Sequence, residues 1–177
     1  LPQGSIRVDS GGDITTWHDF DQGSWWVQDV AATLPALVLS QALHNKHSDL
    51  SNLRVVDMCS APGGKTSQLL SAGFEHVTAI EANARRSRRL KENLERLRFD
   101  KDKYDVVVEE GQKWIPSNAI SGILVDVPCS ATGTGKKRPD VLRRESDITE
   151  LLHIQEVLAT HCAEILPQEG IMVYATW

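Results

Sequence analysis

"LRVVDMCSAPGGKT" (residues 53–66) is the stretch whose reading decides the fold. Its first seven residues form a short apolar run, read as a strand over 53–59, and "KTSQLLSAG" behind it has helical character. Between them Pro62-Gly63-Gly64 makes a tight turn, and paired glycines let a ligand approach the backbone closely. The "GGKT" invites a phosphate-loop reading, but G-x-x-x-x-G-K-T needs glycine at position 59, which is Cys59. No G-x-G-x-x-G is present either, which disfavours a dinucleotide fold. An ordinary strand-to-helix turn explains these glycines equally well.

Outward from this turn, strands and helices alternate. "HVTAIE" (76–81), "YDVVVEE" (104–110), "GILVDVP" (122–128) and "IMVYAT" (171–176) read as further strands. Helices are expected over 28–43, over 84–99 with Leu90, Leu94 and Leu97 at helical spacing, and over 145–166. "GSWW" before the first helix looks exposed, and 44–52 and 130–140 are the clearest loops. The alternation predicts an α/β fold: a mostly parallel sheet with helices on both faces.

Composition narrows the function classes. A chain of 177 residues suits one domain with a proper core. Its 41% hydrophobic and 24% charged residues are those of a soluble globular protein. No apolar run is long enough to span a membrane, and the N-terminus has no signal-peptide pattern. The chain does not begin with methionine, as expected of a piece of something longer. Cys59, Cys129 and Cys162 include no C-x-x-C pair, so neither metal nor disulfides are expected, and a reducing intracellular compartment is the simpler reading. The net charge of −5 gives no global sign of nucleic-acid binding, yet "RRSRRLK" and "KKRPDVLRR" are locally basic.

In such sheets ligands bind beyond the C-terminal strand ends. Glu81 ends the second strand about twenty residues after the glycine turn, the offset at which a carboxylate holds a ribose diol. Any exposed glutamate at a strand end would look the same. Together with a turn that lacks a phosphate-binding lysine loop, it fits S-adenosylmethionine better than NAD or ATP. Glu110 follows the third strand and is a candidate for the adenine end. The fourth strand places Asp126 beside Pro128 and Cys129, and proline must end the strand there. A thiol is a strong nucleophile once ionised, Asp126 could bind a base edge, and Lys136, Lys137, Arg138, Arg143 and Arg144 suit phosphates.

"VQDVAATL", "DMCSAPGGKT", "DVPCSATGTGKKRPDVLRR" and "VYAT" together resemble the Sun/Nop-type RNA cytosine-5 methyltransferases, nearest to bacterial enzymes that modify small-subunit ribosomal RNA. The resemblance runs from about residue 20 to residue 176. It implies a Rossmann-like methyltransferase fold with its C-terminal strands missing. Residues 1–27 would be a lead-in and 28–177 the S-adenosylmethionine-binding domain. The implied cofactor contacts are Cys59, Ser60, Ala61, Pro62, Gly63, Gly64, Lys65, Glu81, Glu110 and Asp126. Asp is usual in the family where Glu81 and Glu110 stand here.

The family's chemistry uses two cysteines. One, at the end of the fifth strand in "Y-[AS]-T-C-S", adds to carbon 6 of cytosine and activates carbon 5 for methylation. The other, Cys129 here, assists product release, and Asp126 would stabilise charge on the ring. This sequence reads Tyr174-Ala175-Thr176-Trp177, with tryptophan at the nucleophile's position. Two functions follow: an RNA methyltransferase acting on ribosomal RNA in cytoplasm, organelle or nucleolus, or an inactive cofactor- or RNA-binding fragment. A sheet ending at the fifth strand is also expected to self-associate through its uncovered edge.

Overall fold

Side chains alternate between the two faces of a strand, and this decides what each helix covers. The computed structural model describes residues 5–8, 11–135, 139–143 and 147–176. Strands β1 (Arg54–Met58), β2 (His76–Ile80), β3 (Tyr104–Val107), β4 (Gly122–Asp126) and β5 (Ile171–Ala175) form one parallel sheet in the order β3-β2-β1-β4-β5. On one face Val55, Val77 and Leu124 meet Ala36, Leu39 and Leu43 of α1 (Val30–His47) and Leu69 of α2 (Gly64–Ser71). Beside them Ala79 packs on Leu90 and Leu94 of α3 (Ala84–Arg96). The opposite face, with Val56, Met58, Ile123 and Val125, packs on Leu158 and Cys162 of α4 (Ile148–Ile165). A fully buried leucine or valine stabilises by about 1.5–3 kcal/mol relative to its exposed state, so these two layers hold the sheet.

The chain runs β1 to β2 to β3 in one direction and then returns to lay β4 and β5 on the other side of β1. Neighbouring connections therefore diverge between β1 and β4, where such sheets open a crevice. The helix starts are capped: Asp29, Asn83 and Asp147 accept backbone N–H bonds at the first turns of α1, α3 and α4.

Several boundaries differ from the sequence reading. The expected loop over 44–52 begins late, because α1 continues to His47. Ser48 then closes it in the left-handed region (φ +62°), its N–H bonded to the His44 carbonyl, while Lys46 reaches across to the Glu169 carboxylate. The third strand stops at Val107 rather than 110 and the fourth at Asp126 rather than 128. The tryptophans of "GSWW" are not exposed: Trp25 and Trp26 are both half-buried, beside an exposed Ser24. Trp25 packs against Trp17 and Phe20, with ring centroids 5.8 and 5.5 Å apart.

The lead-in is fastened to the C-terminal end of α3. Arg96 donates to the carbonyls of Phe20 (2.6 Å) and Trp25 (3.1 Å), and its guanidinium lies 4.1 Å from the centre of the Phe20 ring. Gly23 makes the approach possible: at φ +77° a side chain is strained, and a β-carbon would overlap the Arg96 carbonyl oxygen. Gly23→Ala is therefore expected to cost about 2 kcal/mol, lowering Tm by roughly 4–8 °C in a thermal melt. An unchanged melt would mean that this contact does not hold the lead-in.

Candidate functional site

The site is built by a loop that leaves β1 and turns sharply. Cys59 adopts φ +60°, and the Ser60 N–H and hydroxyl both donate to the Ile80 carbonyl at 3.0 Å, stitching the loop to the end of β2. The Gly63 N–H closes the turn on the Ser60 carbonyl (2.9 Å). Gly63 sits at φ +105°, and a β-carbon there would lie 2.6 Å from Leu90 Cδ1, so the turn and the packing of α3 both require glycine.

Side chains from α3 and the end of β2 fix the loop's outer rim. Arg86 donates to the Ala61 carbonyl (2.9 Å) and Asn93 to that of Pro62 (2.8 Å). Glu81 is 3% exposed. Its carboxylate accepts from the Ala61 N–H (3.3 Å) and the Asn83 N–H (3.0 Å), with Arg86 Nη2 3.5 Å away.

A cleft of about 380 Å³ opens beside this loop, within the range of small-molecule sites. Its lining includes every residue of the expected loop, Cys59–Lys65, together with Asp126 from the end of β4. The lead-in supplies the outer wall through Ile14, Phe20 and Trp26. Gln28 links that wall to the helices: it accepts from Trp26 Nε1 (3.0 Å) and donates to the Ala32 carbonyl (3.0 Å). Lys65 Nζ and Asp126 Oδ2 pair at 2.8 Å across the gap between α2 and β4.

Asp57, a residue the sequence reading did not single out, also lines the cleft. It is fully buried on the central strand. Thr66 Oγ1 donates to Oδ2 at 2.6 Å, whereas Oδ1 has no hydrogen-bond partner. Burial pushes its pKa up to about 7, against the opposing pull of the Thr66 bond and the Lys65 charge. The signal available in the sequence was a carboxylate inside "VVDM", since acidic residues are almost never fully buried without a partner.

The three thiols separate clearly. Burial, aided by the Glu81 and Asp57 charges, pushes Cys59 up to about 12, and burial alone takes Cys162 to about 11. Neither is ionised near neutrality, so neither is a ready nucleophile. Cys129 is half-buried, three residues beyond Asp126. Gln155 of α4 sets the loop there: Nε2 donates to the Pro128 carbonyl (2.8 Å), and Oε1 accepts from the Tyr174 hydroxyl of β5 (3.2 Å).

The structure thus brings Cys59–Lys65 and Asp126 together around the cleft, while Glu81 supports the loop from behind and is not among the residues that line it. Glu110 stands apart and exposed, its carboxylate held by Gln112 (2.9 Å) and Lys113 (3.0 Å). Arg143 is exposed at the end of the short 3-10 segment Pro139–Arg143. Lys136, Lys137, Arg138, Arg144 and Trp177 lie outside the described residues. Among the described residues no group of three or more His, Cys, Asp or Glu could hold a metal ion, and no helix is long and apolar enough to cross a membrane.

Asp57 makes stability depend on pH. An unfolded aspartate titrates near 3.8 and the folded one near 7, so the folded state binds the extra proton between these values. Its contribution is full below about pH 4 and is lost as pH rises through about 7. Asp57→Asn should remove this dependence: from pH 5 to 8 the wild type is expected to lose on the order of 3 kcal/mol relative to the variant. Parallel denaturant curves at every pH would rule out the raised titration.

Comparison with known proteins gives the arrangement its relatives. Over 129 residues the chain is 42% identical to ribosomal RNA small subunit methyltransferase B of Yersinia enterocolitica, covering 70% of this chain and 29% of that protein. Over 178 residues it is 34% identical to the protein of the same name from Cronobacter sakazakii, covering 97% of this chain and 39% of that one. The chain therefore spans well under half the length of these relatives. Among solved structures, a methyltransferase homologue from Pyrococcus horikoshii superposes with a TM-score of 0.70 at 26% identity, covering 94% of this chain and 50% of the other. NSun6 from the same organism, solved with SFG, gives 0.78 at 24% identity, covering 93% and 41%, and shares the fold. The model of the 16S rRNA methyltransferase RsmB/F family matches residues 41–177, and the chain belongs to that family.

Proposed function

We propose that this chain is the methyl-transferring part of an S-adenosylmethionine-dependent enzyme that modifies carbon 5 of cytosine in ribosomal RNA. The observation that carries the reading is the cleft between the ends of β1 and β4, with carboxylates at its floor and a glycine turn at its rim. S-adenosylmethionine carries a sulfonium and an ammonium group, and it supplies the methyl group when bound. A cationic ligand fits a cleft where Asp57 Oδ1 is buried without a hydrogen-bond partner and Asp126 stands beside it. The NSun6 structure from P. horikoshii was solved with SFG, an analogue of this cofactor.

The chain's residues take the following parts. Backbone of Cys59, Ser60, Ala61, Pro62, Gly63 and Gly64 approaches the cofactor, and Glu81 accepts from its ribose. Lys65 holds Asp126 in place through their 2.8 Å pair. Asp126 would face the base edge, where a hydrogen bond would offset charge developing on the ring. Cys129 serves product release. The role of Glu110 at the adenine end rests on the family resemblance, as does phosphate binding by Lys136, Lys137, Arg138, Arg143 and Arg144. The target base must leave its stack to present a ring face.

A second reading, cofactor or RNA binding without turnover, is favoured by one sequence observation. Trp177 stands where the family's attacking thiol belongs and offers no nucleophilic atom.

Two measurements test these readings. Glu81→Ala should weaken S-adenosylmethionine binding by about 1–3 kcal/mol in calorimetry, and equal affinity would remove Glu81 from the site. RNA carrying 5-fluorocytidine traps the covalent adduct of cytosine-5 chemistry. Trp177→Cys is expected to form that adduct in the presence of cofactor, and the wild type is expected not to. A variant that binds cofactor and RNA yet forms no adduct refutes the cytosine-5 assignment. An adduct on the wild type that Cys129→Ser abolishes refutes the second reading.

A further inference from the structure

Helix α3 carries more positive charge than the fold and the cleft use. Between residues 84 and 98 lie Arg85, Arg86, Arg88, Arg89, Lys91, Arg96 and Arg98, opposed only by Glu92 and Glu95. The segment is thus +5 within a chain whose total is −5. Two of these residues have structural work: Arg86 holds the Ala61 carbonyl and Arg96 holds the lead-in. Arg85, Arg88 and Arg89 do not. All three are exposed, and among the described residues none makes an ion pair, although Glu92 lies a turn away on the same helix.

This placement is unfavourable for the helix alone. Four arginines in its first six residues oppose the partial positive charge of the helix N-terminus, where acidic residues stabilise instead. They also repel one another at helical spacing. The buried face, with Ser87, Leu90 and Leu94, needs only a solvated exterior, which glutamate and lysine in mixture would provide as well.

Topology places this face on one flank of the cleft. Strand β2 ends beside the loop that Arg86 grips, and α3 starts immediately after it. The segment Pro139–Arg143 follows β4, on the other side of β1. The cleft therefore lies between a basic surface on the β2 side and the segment Pro139–Arg143, with its exposed Arg143, on the β4 side.

We propose that Arg85, Arg88 and Arg89 form a second phosphate-contacting surface for RNA, holding the strand on the flank of the cleft opposite the segment Pro139–Arg143. The proposal rests on the reading of the chain as an RNA methyltransferase. Backbone contacts of this kind position a strand without reading its sequence, and guanidinium groups suit phosphate oxygens through paired N–H donors.

The test compares the wild type with a variant carrying Arg85→Ala, Arg88→Ala and Arg89→Ala, using a fluorescent single-stranded RNA oligonucleotide titrated across a range of salt. The variant should melt no lower than the wild type and bind S-adenosylmethionine equally well. Its slope of log affinity against log salt should be shallower by about 2, three contacts at about 0.7 each, with RNA affinity at low salt reduced on the order of tenfold or more. A second variant with lysine at the three positions should retain most of the slope. If wild type and alanine variant share both slope and affinity, this surface does not bind RNA, while the RNA reading stands. If the wild type binds cofactor but no RNA, both readings fall. If polyglutamate competes with the RNA as strongly as unlabelled RNA does, the surface belongs to an acidic protein partner and the proposal is overturned.

Discussion

β1 is hydrogen-bonded to a strand on each side and covered by helices on both faces, and the site's properties follow from that enclosure. The carboxylate of Asp57, near the C-terminal end of this strand, is fully buried at the inner end of the cleft. Asp57 must find its partners inside the protein, and Thr66, one turn into α2, supplies one of them. The bond sets the start of α2 relative to the strand, and with it the glycine turn between them. The turn is then held from the opposite side by Glu81 and Arg86. Backbone N–H and C=O groups that a sharp exit from a strand would strand in the interior are thereby satisfied.

The strands were legible because their apolar runs are short and each is followed by a turn or a polar residue. The α3 core positions Leu90 and Leu94 were legible from spacing, and both are fully buried. Other features depend on partners remote in sequence. "HNKH" reads as loop, but α1 carries through it, and Lys46 there pairs with Glu169, far along the chain. "GSWW" reads as exposed because nothing local reveals that Arg96 and Gly23 bring the lead-in onto α3. Position relative to a strand end put Cys59–Lys65 and Asp126 beside one another, and they line one cleft, since parallel strands deliver their ends to one edge. The same reasoning placed Glu110 there, yet β3 stops three residues earlier and the chain carries Glu110 outward.

Residue chemistry and environment also diverge among the cysteines. All three are of one type in the sequence, but two are held protonated by burial. Cys59 belongs to the glycine turn through its backbone, in a left-handed conformation that a side chain tolerates only when neighbouring bonds fix it. The Ser60 and Ala61 contacts to the end of β2 provide that fixing.

Gln155 bears on how the ends of β4 and β5 can move. Its one amide grips a carbonyl next to Cys129 with its nitrogen and a tyrosine hydroxyl on β5 with its oxygen. Because a planar amide has fixed separation between those two atoms, the loop after β4 and the tip of β5 do not have independent positions. Both are tied to one side chain of α4. A shift at either tip is transmitted to the other by a rigid lever two bonds long, without any rearrangement of the sheet beneath.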